Sequence, residues 1–116
     1  MNTKQQEVRL VRFPLKKGKL TRFYEWMQYL NEPKNRGEII EGIGEAEIFA
    51  ESVFLSEEAG HYYVYYYMNS ENPFRGHRAV SSGNRSADIR HFRFFAECID
   101  MENHVVQEAL FHVNKP

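Results

Sequence analysis

His61-Tyr62-Tyr63-Val64-Tyr65-Tyr66-Tyr67-Met68 is the stretch that decides how this chain is read. Five tyrosines in eight residues, with Val64 and Met68, make the strongest strand signal present, because aromatic and β-branched side chains suit a pleated surface. No polar face alternates with an apolar one. The stretch is therefore expected at the centre of a sheet, covered on both faces.

The preceding strand reads as Ala46 to Ser56, with Glu57-Glu58-Ala59-Gly60 as the hairpin loop. A loop of that length pairs Leu55 with Tyr62, Val53 with Val64 and Glu51 with Tyr66. Phe49 is expected in the same row. The opposite face pairs Phe54, Ser52 and Ala50 with Tyr63, Tyr65 and Tyr67. Small residues facing large ones let a layer interdigitate. A slip of one residue would exchange the two faces.

Further upstream, Glu7 to Lys16 alternates, with Val8, Leu10 and Arg12 on one side and Arg9, Val11, Phe13 and Leu15 on the other. This is a strand, and Pro14 places it at a sheet edge or marks its end. Leu20, Phe23, Met27 and Leu30 recur at helical spacing. Pro33 breaks that helix. A second helical piece follows over Lys34 to Ile43, stopped by Gly42 and Gly44.

Downstream, Asn69 to Arg85 is a long polar connection with a helical turn near Phe74 to Val80. Ser86 and Asp88 open a helix with an apolar stripe of Ile89, Phe92, Phe95, Ala96 and Ile99. His104 to Val113 is the last strand. The order β-α-β-β-α-β is the split, ferredoxin-like pattern. It predicts an α+β domain with a four-stranded antiparallel sheet and two helices on one face. One domain is expected over 1–116, with its core at about 7–113. The uncovered face would still be aromatic. A second copy packed sheet to sheet, as a homodimer, is the economical cover.

The layout resembles the dimeric α/β-barrel superfamily, which includes cofactor-free monooxygenases and haem-degrading enzymes. More closely it resembles a bacterial domain-of-unknown-function family of about this length. The stretches that carry the resemblance are Val8 to Pro14, Glu51-Ser52-Val53-Phe54-Leu55, the tyrosine strand, and Asp88 to His91 running on to Glu97-Cys98. Ser82-Gly83-Asn84-Arg85-Ser86 departs from the acidic, proline-containing lead into the last helix. The resemblance implies the fold. It implies no established activity.

Composition narrows the function. The net charge is −1, which gives no general attraction to nucleic acid or to an anionic membrane. An aromatic sheet invites comparison with RNA-binding domains, but their Lys/Arg-Gly-Phe/Tyr motif is missing. One cysteine, Cys98, makes an internal disulfide impossible and fits a reducing cytoplasm. The polar start, Met1 to Glu7, lacks the apolar stretch of a signal peptide. No apolar run approaches the roughly 20 residues that span a bilayer. The five histidines, His61, His77, His91, His104 and His112, show no metal-ligand spacing, so neither a metal nor a cofactor is expected.

Glu51 is the residue most suggestive of chemistry. A carboxylate in an apolar row is expensive unless hydrogen-bonded. It reads as a general base or ligand anchor, or as half of a structural pair with Arg12, His91 or a tyrosine. His91 borders the last helix's apolar stripe and reads as a proton shuttle, or as a histidine held by Asp88 or a carbonyl. Tyr66 would help polarise a ligand, and Trp26, Phe94 and Arg12 would line its pocket. Trp26 and Phe94 read equally as plain core. The readings left standing are a binder of a small apolar or aromatic molecule, its narrower form as a monooxygenase-like enzyme, and a non-catalytic dimeric module. Arg75, His77, Arg78 and Arg85 read as a solvated basic loop or an anion site.

Overall fold

The computed structural model describes residues 7–70 and 86–115. The Asn69-to-Arg85 connection, with its basic residues and expected helical turn, lies almost wholly outside the described residues. The elements are β1 (Glu7–Pro14), α1 (Leu20–Asn31), a 3-10 turn (Pro33–Asn35), α2 (Arg36–Glu45), β2 (Ile48–Glu58), β3 (His61–Ser70), α3 (Ser86–Cys98) and β4 (Val105–Val106). All strand pairs are antiparallel, in the order β2-β3-β1-β4. The tyrosine strand is thus interior. β1 is interior too, and Pro14 is its last residue.

The hairpin corrects the expected register. Its loop is two residues, Ala59-Gly60, because the strands pair out to Glu58 and His61. Both loop residues have positive φ, 51° and 82°, the twist that a tight antiparallel hairpin requires. Leu55 consequently opposes Val64, Val53 opposes Tyr66 and Glu51 opposes Met68. The shift from the expected pairing is two residues, an even number, so every side chain keeps its face. Phe49 does not. A bulge between Ile48 and Ala50 inserts it as an extra residue. Ile48 is thereby turned into the core at 5% exposure while Phe49 is half exposed.

α1 and α3 cover one face of the sheet. Phe23 and Trp26 from α1 meet Phe94 and Cys98 from α3, with Ile99 just beyond it, over Val64 and Tyr66 of β3. Phe13 of β1 joins them, edge-on to Phe95 at 5.4 Å. α1 stops where Pro33 forces Glu32 into extended backbone. The buried Asn35 amide donates to the Tyr29 carbonyl at 2.8 Å, satisfying a last-turn acceptor. Among the described residues there are three helices, and the expected second helical piece is α2, which lies against β2 and α3 and not with α1 alone. It does not stop at Gly42 and Gly44, which lie within it. It ends when Glu47 takes φ 59°, a position that usually belongs to glycine.

The expected last strand shrinks to two paired residues, Val11 with Val106 and Arg12 with Val105. One more bond, Gln107 N–H to the Leu10 carbonyl at 2.8 Å, follows it. Beyond that point Leu110, Phe111 and Val113 are 85%, 86% and 71% exposed. Their apolar pattern reports hydrophobicity, not pairing to the sheet.

The other sheet face carries Tyr63, Tyr65, Tyr67, Ser52, Phe54, Leu10 and Arg12, by the alternation of the ladder. Leu10, Ser52, Phe54, Tyr65 and Tyr67 line an open apolar groove there.

Candidate functional site

The covered face gathers the polar side chains that the sequence singled out. Glu51 and Tyr66 come from adjacent strands and project to the same face on a diagonal, since Tyr66 opposes Val53. The Tyr66 hydroxyl is hydrogen-bonded to the Glu51 carboxylate. On its other side the same hydroxyl lies 3.2 Å from His91 Nε2. Trp26 Nε1–H donates to His91 Nδ1, also at 3.2 Å.

These contacts have only one consistent direction. An indole N–H donates and never accepts. His91 Nδ1 must therefore present a lone pair, and a neutral imidazole then carries its proton on Nε2. Nε2–H donates to the Tyr66 oxygen, and the phenol proton is free to point at Glu51. The relay runs Trp26 → His91 → Tyr66 → Glu51, from a pure donor to a carboxylate.

Electrostatics favour the same assignment. Burial, with the Glu51 charge beside it, pushes the Tyr66 phenol well above its usual range, so it stays protonated and donates. Desolvation pushes the Glu51 carboxyl up, and the Tyr66 hydrogen bond offsets part of that rise. Glu51 is therefore a half-buried, partly desolvated carboxyl at the end of this row of contacts.

Aromatic rings hold the relay in place. Trp26 is completely buried. It stacks on Phe94 at 6.2 Å with the planes 5° apart and lies 5.2 Å from the His91 ring. Phe95 stands edge-on to both Trp26 and Tyr66. Over Phe94 sits the Arg22 guanidinium at 4.4 Å. Arg22 forks onto Glu97 at 2.8 and 3.3 Å and reaches Glu25 at 2.8 Å, tying α1 to α3. Arg22 holds the Glu97 carboxyl below its ordinary range.

Glu51, Tyr66, His91, Trp26 and Phe94 are thus brought together. Arg12 is not. It opposes Tyr65 in the ladder and lies on the other face, its guanidinium 4.0 Å above the Tyr63 ring. Residue parity excludes it as a partner for Glu51. From sequence Trp26 reads as a pocket wall or as plain core. Its role as the first donor follows from a rule visible in sequence, that a buried indole N–H seeks an acceptor, but the identity of that acceptor is a tertiary fact. The Arg22–Glu97 clamp carried no signal, because each residue alone reads as a polar helix position. Cys98 is fully buried, and burial pushes its thiol up. Among the described residues, no cluster of three or more histidine, cysteine, aspartate or glutamate side chains could hold a metal ion. None of the described helices is long and apolar enough to cross a membrane.

A family model matches residues 6–116, nearly the whole chain. The chain belongs to DUF6176, a family of unknown function. This DUF6176 chain has no match among curated proteins.

Proposed function

We propose that this protein is a ferredoxin-like homodimer, built as a dimeric α/β barrel and working in a reducing cytoplasm. It binds a small, mostly apolar or aromatic molecule beside Glu51, between sheet and helices. One observation carries this reading: a partly desolvated carboxylate stands at the end of a relay whose donors are already committed to it. Such a carboxylate anchors a ligand N–H or O–H through a charge-assisted hydrogen bond, which is stronger than a neutral one. Trp26 and Phe94 serve the site by fixing His91. In the narrower, monooxygenase-like form of the reading, Glu51 is the base and Tyr66 and His91 polarise the ligand.

A second reading has its own support. Trp26, His91 and Tyr66 satisfy one another within the fold, as a network that only orders a core would. On that reading the protein is a non-catalytic dimeric module.

Native mass spectrometry on protein purified from its own host separates the two. A retained small-molecule mass that disappears in Glu51→Gln supports the binding site. Empty protein in both forms, or a mass kept equally by Glu51→Gln, removes it and leaves the module.

A further inference from the structure

The C-terminal arm and the open sheet face are each incomplete, and in complementary ways. The arm leaves the sheet after the Gln107–Leu10 bond. It then carries Leu110, Phe111 and Val113 at 85%, 86% and 71% exposure. Exposed apolar side chains this close together are uncommon on a monomer and mark an interaction surface. The open face presents the groove of Leu10, Ser52, Phe54, Tyr65 and Tyr67, with Phe54 at its rim 58% exposed.

We infer that two copies of this chain exchange their C-terminal arms, each laying the Phe111 and Val113 side of its arm into the other's groove. The inference rests on the homodimer reading and adds the element that closes it. Reach is sufficient. Residues 107–113, extended at about 3.3 Å each, span roughly 23 Å. The groove draws on three adjacent strands, β1, β3 and β2, about 10 Å across at about 4.8 Å per strand spacing.

Area points the same way. A stable dimer buries about 800 Å² per partner. Phe111 and Val113 supply at most about 300 Å², taking on the order of 150 Å² for each. The aromatic face must supply the remainder. Neither surface suffices alone, so exchange is reciprocal and two-fold symmetric.

Sedimentation equilibrium of the full chain, of Phe111→Asp and of Phe54→Asp tests the inference. Both positions are exposed, so neither change disturbs the core. The full chain is expected to be a dimer, with its dissociation constant raised at least tenfold by either substitution. A photo-crosslinker at position 111, in a mixture of 14N- and 15N-labelled protein, is expected to give isotopically mixed crosslinks to the groove residues. A dimer indifferent to Phe111→Asp overturns the arm exchange while the dimer stands. So do crosslinks confined to one copy or landing outside the groove. A monomeric full chain overturns both.

Discussion

Tyr66→Phe removes one oxygen atom and two links of the relay. The hydroxyl lies 3.2 Å from His91 Nε2 and is hydrogen-bonded to Glu51. Its loss removes the Tyr66 acceptor from the His91 Nε2–H at a part-buried site, which costs at most about 1–3 kcal/mol. It also removes a bond to a charged group, ordinarily about 1.5–3 kcal/mol. Glu51 is only half-buried, so water replaces part of the second term. A net loss of about 2–4 kcal/mol follows. A domain of this size has a stability of roughly 6–17 kcal/mol, so the variant still folds. In urea, with a mid-range slope of about 2 kcal/mol per molar, the midpoint falls by roughly 1–2 M. Tyr63→Phe is the control. It keeps the ring under Arg12 and should change stability by less than about 0.5 kcal/mol. A Tyr66→Phe loss no larger than the control's would refute the relay. So would a double-mutant cycle with Glu51→Gln that shows no coupling, since contacting groups couple by about 0.5–3 kcal/mol.

Two further outcomes are expected. The Glu51 carboxyl is raised above 4.5 by desolvation, so the native state holds its proton where the unfolded chain has lost it. Its contribution to stability is full below pH 4.5 and is lost as pH rises through the folded value. Glu51→Gln is therefore expected to be more stable than the parent at pH 7 and to lose that advantage toward pH 4.5, checked by urea midpoints across the range; an advantage constant with pH contradicts this. Glu97, held down by Arg22, acts in the opposite sense and only below 4.5, so the two windows do not overlap. Ala59 adopts φ 51° in the hairpin loop, where a non-glycine residue costs about 1–2 kcal/mol. Ala59→Asn, giving the favoured Asn-Gly pair, should raise stability by about 0.5–1 kcal/mol, read as a higher thermal midpoint; an unchanged midpoint would argue against strain in the loop.

The legible parts of the fold share a cause. Side-chain parity along a strand has a period of two, so Val53, Tyr66 and Glu51 could be assigned to one face although their pairing was misjudged by two residues. The turn geometry was less visible. Nothing about Glu57-Glu58-Ala59-Gly60 says that the ladder continues to Glu58, because an alanine at positive φ contradicts its own preference. The bulge at Phe49 defeats parity for the same kind of reason, as one inserted residue reverses everything upstream of it. At the site, the residue types were readable and the connections were not. Glu51, Tyr66 and His91 stand out as polar groups among apolar neighbours. Their link through Tyr66 requires α3 to lie across β3, which depends on helix packing and not on local sequence.

Trp26 is the only tryptophan in the chain, and it heads the relay. The protein's entire indole fluorescence therefore originates from one ring, sealed from water and bonded to a single imidazole nitrogen. A histidine that gained a second proton would have to release that bond, and a molecule pulling on Glu51 would act on it through two intervening side chains. The emission of unlabelled protein is thus a built-in optical gauge of the far end of the site. A compound library can be screened against it without tag or dye.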